Sequence, residues 1–306
     1  MTKEDHRIRF LRTFNVNKLE AGFVGLGAMG SPMAGHLKRA GLLVGVSNRT
    51  AAKAQAFAAE HGVVAPVTLA QLASLCNVIA LCVSADADVL GAVREIAAAA
   101  KPGTIVVDHS TVSPETAKQA HALMQGSGGD FLDAPVSGGV EGAKNGKLSI
   151  MVGGDAATLA RTRPVLDAYG ARIGHMGPVG AGQSTKAVNQ VLVAGIAQGV
   201  CEGLALGEAL GLNPDVLLPT LASGAAGCWF LDKRGATMLR NEFAGGFKAA
   251  LLHKDLGIVR EIAQRVGTDH SIVDKAIADL GELMAQGRGD EEHSAVIRLK
   301  RAREKR

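Results

Sequence analysis

Aromatic residues are scarce: one Trp, one Tyr and eight Phe make up 3% of the 306 residues. A chain so poor in flat side chains offers no stacking platform for single-stranded nucleic acid. The four cysteines, Cys76, Cys82, Cys201 and Cys228, show no CxxC or paired metal spacing and have no His at ligand distance in sequence. They read as small apolar residues in a reducing compartment, so no metal site is expected and the expected location is cytoplasmic. No apolar run reaches membrane-spanning length, and the start lacks a signal-peptide core. Residues 1–19 hold several arginines, but Glu4 and Asp5 argue against an organellar presequence, and a ragged N-terminal extension is expected. Internal repeats and low-complexity segments are absent as well.

What is present describes a globular chain, 47% hydrophobic and 20% charged. The net charge of +4 is concentrated at the end, where residues 298–306 carry six cations and one acid. Without that +5 the body stands near −1, so the basic pI belongs to the tail rather than to a binding face. A solvated helix end explains the tail better than contact with nucleic acid or a membrane, and neither is expected as a partner.

From Ala21 short apolar runs alternate with amphipathic segments, as in βαβ units around a parallel sheet. Strands are predicted at 21–25, 43–47, 63–65, 78–83, 104–108, 130–132, 148–152 and 171–175. Helices such as 29–40, 51–60 and 114–124 fill the gaps, with Gly41 closing the first. After about Gly182 the strand-like runs stop and helical periodicity continues. A long helix over roughly 183–210 joins the two parts and ends at Gly211 and Asn213-Pro214. The expected division is an extension (1–19), a dinucleotide-binding domain (20–181), a helical substrate and oligomerisation domain (182–299) and a basic tail (300–306). The expected fold class is α/β: a Rossmann-type doubly wound parallel sheet followed by an all-helical domain.

The dinucleotide assignment rests on Gly25-Leu26-Gly27-Ala28-Met29-Gly30, a G-x-G-x-x-G run that follows an apolar strand and opens a helix. Gly25 permits the tight turn, Gly27 lets backbone N–H groups approach a pyrophosphate, and Gly30 lets helix and strand pack closely. The helix N-terminus adds partial positive charge. About 20 residues on, where an acid would grip the ribose 2′-hydroxyl of NAD, the chain has Asn48-Arg49-Thr50. Asn48 removes the repelling charge, and Arg49, Thr50 and Lys53 can donate to a 2′-phosphate. NADP is therefore favoured, with NAD possible; a solvent-facing helix start capped by Thr50 is the alternative.

Lys186 lies in Gly180-Ala181-Gly182-Gln183-Ser184-Thr185-Lys186-Ala187-Val188-Asn189-Gln190. Helical spacing lets Lys186, Asn189 and Gln190 converge on one polar target. A lysine near a helix start is ordinarily a solvated charge, yet residues 191–197 are too apolar for a surface helix. Two loops are also conspicuous. Asp133-Ala134-Pro135-Val136-Ser137-Gly138-Gly139 offers backbone N–H groups for a carboxylate nest, and Asp108-His109-Ser110-Thr111 ends a strand where ligands gather in open sheets. Each also reads as an ordinary turn. Asp108 reads as a cap for the following turn rather than an acid catalyst. Trp229 is read as lining a pocket or, at least equally, as core packing.

In this order the segments resemble the β-hydroxyacid dehydrogenase family, which includes 3-hydroxyisobutyrate dehydrogenases, tartronate semialdehyde reductases and glyoxylate/succinic semialdehyde reductases. The resemblance spans about residues 22–299 and adds Gly142-Ala143, Met151-Val152-Gly153-Gly154 and His253-Lys254-Asp255-Leu256 to the motifs above. It implies Lys186 as the catalytic lysine, Ser137, Gly138 and Gly139 as holders of the substrate carboxylate, and Asn189 as the group that orients the substrate. It also implies cofactor contacts from Thr111 and Lys254, and a homodimer or homotetramer. One departure is Gln190, expected with Asn189 among the substrate-binding residues, where many members have Asn. Imine reductases share the architecture but replace the lysine, and 6-phosphogluconate dehydrogenases need a longer helical domain. A catalytically inactive interaction module would have lost the lysine or the substrate loop, and both are present.

Overall fold

The computed structural model describes residues 19–301. Most of the expected N-terminal extension and the last five residues of the tail lie outside them. Eight strands form one sheet: β1 (Ala21–Val24), β2 (Leu43–Ser47), β3 (Val78–Leu81), β4 (Ile105–Asp108), β5 (Asp130–Asp133), β6 (Val136–Ser137), β7 (Leu148–Gly153) and β8 (Gly170–Gly177). Their order is β2-β1-β3-β4-β5-β7-β6, with β8 on β7. Pairing is parallel from β2 to β5 and between β7 and β8, while β7 runs antiparallel to β5 and β6.

Alternation along the strands explains the double winding. In β1, β3, β4 and β5 the residues Phe23, Ala80, Val107 and Leu132 feed one core, and Val24, Ile79, Val106 and Phe131 feed the other. A period of two sends neighbours to opposite faces, so both faces need helical cover. Helices α1 (Gly30–Arg39), α2 (Ala51–His61) and α7 (Ala156–Asp167) cover the first, while α3 (Leu69–Leu75), α4 (Asp86–Ala97) and α5 (Pro114–Gly126) cover the second. Because β1 is flanked by β2 and β3, the chain reverses its winding there. Its carboxyl end is the crevice where such sheets bind ligands.

Two local readings change. Residues 63–65 make a single bridge, Gly45 to Val64, instead of a strand, since Pro66 has no N–H to extend the ladder. The end of the Asp133–Gly139 segment, read as a loop, contains β6 and opens the short helix α6 (Gly139–Asn145). That helix closes on Gly146 at φ +63° and is tied to α1 where His36 Nε2 meets the carbonyls of Ala143 and Lys144.

The helical part comprises α8 (Ala181–Ala209), α9 (Pro214–Ala222), α10 (Trp229–Leu239), α11 (Ala249–Val266), α12 (Ser271–Ala285), a 3-10 turn (His293–Val296) and α13 (Ile297–Lys300). Their apolar faces share a core that includes Leu204, Phe230, Leu252, Leu256 and Leu280. Among the described residues α8 alone is long and apolar enough to cross a membrane by length and composition; it is the shared core helix of this part and carries the polar Gln183, Lys186, Asn189 and Gln190. It packs along β7, β8, α5, α10, α11 and α12, and its buried positions include the polar Gln183, Lys186 and Gln190. Lys300 and Arg301, assigned to a solvated tail, are held by Asp279 at 2.8 Å and by both oxygens of Glu208. The core reading of Trp229 is also corrected: it is 52% exposed at the start of α10, with the Arg234 guanidinium 5.3 Å above its ring.

Candidate active site

The glycine loop shows a steric need for Gly25 and Gly30 and open space at Gly27. Gly25 has φ +98°, and a Cβ there would lie 2.2 Å from the Cys82 carbonyl oxygen; one on Gly30 would lie 1.8 Å from the Gly25 oxygen. A Cβ on Gly27 meets nothing within 4 Å, so this exposed backbone borders open space. Leu26 is buried, Ala28 is exposed and Met29 is the N-cap of α1, whose first turn has neither a capping side chain nor an acid. An uncapped helix start beside open glycine backbone is a fitting cradle for a pyrophosphate.

Asn48 braces this loop from β2. Its Oδ1 accepts from the Leu26 N–H at 2.9 Å and its Nδ2 donates to the Thr50 carbonyl. Arg49 is 86% exposed, 3.9 Å from Asp88, and Thr50 and Lys53 are exposed beside it at the start of α2. Thr50 is the N-cap, but its hydroxyl makes no capping bond.

Behind the loop, the end of β4 is structural. Asp108 is buried, and its Oδ1 accepts from the Ser110 N–H at 2.9 Å, closing the turn as the sequence suggests. Burial pushes its carboxyl up to about 7. His109 is pushed down by burial to about 4 and is therefore neutral. Its Nδ1–H donates to the Ala134 carbonyl, which leaves Nε2 to accept from the Tyr169 hydroxyl at 2.7 Å.

Asp133, at the end of β5, fixes α8 to the sheet. Its oxygens accept from the N–H groups of Gly180 and Gln183, both at 2.8 Å, at the helix N-terminus. A Cβ on Gly182 would come within 2.4 Å of the Met151 carbonyl oxygen, so only glycine permits this approach. Gln183 in turn accepts from Val112 N–H and donates to the Ser110 carbonyl. Asp133→Ala is expected to leave two buried N–H groups without partners and cost about 2–4 kcal/mol. Chemical denaturation reads this loss; an unchanged midpoint at equal slope would refute it.

One turn further, Lys186 is only 8% exposed and donates through Nζ to the Val136 carbonyl at 2.9 Å. That carbonyl immediately precedes Ser137, Gly138 and Gly139. Gly138 and Gly139 take φ +125° and +61°, and both are exposed. The predicted lysine and the predicted nest thus meet. Burial brings the Lys186 ammonium from the usual 10.5 down to about 8, Asp255 opposing and Lys254 assisting.

On the same face Asn189 is half-buried, whereas Gln190, expected to bind substrate, is only 1% exposed and bonded at both ends of its amide to protein groups. Gln190 Nε2 donates to Asp255 Oδ2 at 2.7 Å, and its Oε1 accepts from Asn189 Nδ2 at 2.8 Å. Lys254 pairs with Asp255 Oδ1 at 2.9 Å and donates to the Thr111 carbonyl, bridging the helical part to the loop after β4. Asp133, Gln183 and Asp255 were quoted in sequence motifs without a role. A signal existed for Asp255: it occupies the apolar face of α11 with Leu252, Leu256 and Val259, where an unpaired acid would be costly.

A doubly wound sheet with a glycine loop at its switch point, joined to a helical domain that delivers a buried lysine, defines a dinucleotide-dependent dehydrogenase. The chain belongs to the β-hydroxyacid dehydrogenase family. Residues 20–177 match the NAD binding domain of 6-phosphogluconate dehydrogenase, and residues 180–300 match the NAD-binding domain of NADP-dependent 3-hydroxyisobutyrate dehydrogenase. A probable 3-hydroxyisobutyrate dehydrogenase of Mycobacterium tuberculosis is 35% identical, over 92% of this chain and 97% of its own. The NAD-dependent L-serine dehydrogenase of Pseudomonas aeruginosa is 36% identical over the same shares. The solved structure of the Mycobacterium tuberculosis 3-hydroxyisobutyrate dehydrogenase with L-serine superposes with a TM-score of 0.84, at 33% identity, covering 93% of this chain and all of that one.

Proposed function

We propose that this dehydrogenase uses NADP(H) to interconvert a short carboxylate-bearing aldehyde, of the glyoxylate, succinic semialdehyde, tartronate semialdehyde or 3-hydroxyisobutyrate type, and its hydroxyacid, with Lys186 as general acid and base. The observation that carries this reading is the buried Lys186, with a pKa near 8, beside the Ser137–Gly139 turn. The relatives named for 3-hydroxyisobutyrate and L-serine, both short β-hydroxyacids, support the same substrate class. In this reading Ser137, Gly138 and Gly139 bind the carboxylate, Asn189 orients the substrate, and Thr111 and Lys254 contact the cofactor.

The dinucleotide supplies or accepts the hydride at the carbonyl carbon. As that carbon is reduced, negative charge grows on oxygen, and the Lys186 ammonium stabilises it and hands over a proton to give the hydroxyl. In the reverse direction neutral Lys186 removes the hydroxyl proton. Holding the carboxylate in the turn aligns the reacting carbon and limits lost orientations.

The NADP preference rests on the absence of an acid at the end of β2 and on the exposed Arg49, Thr50 and Lys53. Steady-state assays of glyoxylate and of succinic, tartronate and methylmalonate semialdehydes with NADPH and with NADH test both parts. Flat activity on all four would sink the substrate class. A strong NADH preference would sink the cofactor assignment.

A homodimer or homotetramer is proposed as well. On α8, Val188, Leu192 and Ile196 recur every fourth residue and are 62%, 61% and 41% exposed, while α9 buries no residue. An apolar stripe of this kind favours cover by a second copy. Sedimentation at assay concentration as a monomer would contradict it. The reducing setting suggested by four free cysteines is in keeping with the cytoplasm.

A further inference from the structure

We propose that Asp255 and Gln190 form a buried polarity relay that fixes which way the amide of Asn189 faces, so that Gln190 is a positioning residue acting through Asn189. This rests on the substrate-orienting role of Asn189 in the reading above. An amide has a donor end and an acceptor end of nearly equal shape, and only its partners decide between the two orientations. Here the decision starts at Asp255, a buried carboxylate paired with the Lys254 ammonium. A carboxylate only accepts, so Gln190 must turn its NH2 to Asp255 and its Oε1 away. That oxygen in turn only accepts, so Asn189 must turn its NH2 to Gln190. Asn189 then keeps Oδ1 and one N–H for a ligand, with Oδ1 as the acceptor for a substrate hydroxyl.

The length of Gln190 matters. Consecutive residues on a helix point about 100° apart and do not face each other. Gln190 nonetheless reaches back to Asn189 and across to α11, bonds of 2.8 and 2.7 Å at its two ends. An asparagine here, one methylene shorter, would reach one partner and not both. The same carboxylate holds Lys254, which bonds to the Thr111 carbonyl, so substrate amide and cross-domain contact share one anchor.

Two substitutions test the relay. Gln190→Met keeps length and volume but removes both bonds. With the most active aldehyde and its hydroxyacid, kcat/KM is expected to fall about tenfold, mainly through KM, with NADPH affinity unchanged. Gln190→Glu restores the polarity only when its new carboxyl is protonated, donating to Asp255 while its carbonyl accepts from Asn189. The charged groups meeting this network are Asp255, Lys254 and Lys186. Activity relative to the parent should therefore approach one at acid pH and decline as pH rises. Parent-like kcat/KM in Gln190→Met, or a ratio for Gln190→Glu that stays flat with pH, overturns the relay.

Exchange of the Asn189 side-chain amide protons, followed by NMR, reads the relay without catalysis. Slow exchange in the parent that becomes fast in Gln190→Met supports it, and equal exchange in both refutes it. An inactive parent with slow exchange would therefore sink the proposed function and leave the relay standing.

Discussion

Lys186→Ala is expected to lower turnover at least about 100-fold in both directions, the low end for loss of a general acid or base. Hydride transfer without a proton donor would leave an alkoxide among buried groups, and the nearest bond made by Lys186, to the Val136 carbonyl, offers no substitute proton. The pH profile sharpens the test. Because burial brings Lys186 to about 8, reduction should fall above that pH as the ammonium is lost, and oxidation should rise towards it as the neutral amine appears. Both limbs should vanish from the residual activity of the variant. Near-normal turnover, or an unchanged inflection near pH 8, would rule out the role.

The same lysine carries a stability cost. The unfolded chain keeps this proton to about 10.5 and the folded one only to about 8, so the folded state is penalised fully below pH 8. The penalty lifts as pH climbs between those values and amounts to about 3 kcal/mol before its hydrogen bond is counted. Lys186→Met, close in volume and uncharged, should therefore unfold at a higher denaturant concentration at pH 7 while being nearly inactive. Such opposition between stability and activity is expected of a group kept for chemistry.

Local periodicity made most of the sheet legible, because β1, β3, β4 and β5 send alternate side chains into two cores and leave an apolar run in the sequence. Where glycine breaks that pattern, the reading fails. Gly138 and Gly139 suggested a loop, yet α6 starts there; Gly146 closes it as a local cap, and His36 from α1, more than 100 residues upstream, ties it down, which no local propensity shows. Lys186 was legible because an apolar run follows it and glycines precede it. Its setting was not, since Val136 lies 50 residues upstream and Asp255, reached through Gln190, lies 65 residues downstream of that glutamine. Trp229 shows the opposite case: of its two readings, pocket lining and core packing, the second fails, because the ring lies at the surface beneath Arg234.

Gly30→Ala is expected to lower NADP(H) affinity at least about 100-fold, a loss of about 2.7 kcal/mol, and to destabilise the protein as well. Its Cβ would stand 1.8 Å from the Gly25 oxygen and 2.9 Å from Phe23 Cε1. The first contact is with backbone, so no rotamer relieves it, and α1 must move away from β1, opening the cradle. Gly27→Ala separates the two effects. With nothing within 4 Å of that Cβ, the fold should tolerate it, and the methyl would intrude only on a bound pyrophosphate. Gly35→Ala, inside α1 with its nearest contact at 3.6 Å, serves as a control and should stabilise by about 0.5–1 kcal/mol through helix propensity. Thermal unfolding of the free proteins and fluorescence titration with NADPH distinguish all three. Gly30→Ala should lose on both measurements, Gly27→Ala on affinity alone and Gly35→Ala on neither. Parent-like melting of Gly30→Ala would mean that helix and strand do not pack at the contact distance described. Full affinity in Gly27→Ala would move the pyrophosphate away from this loop.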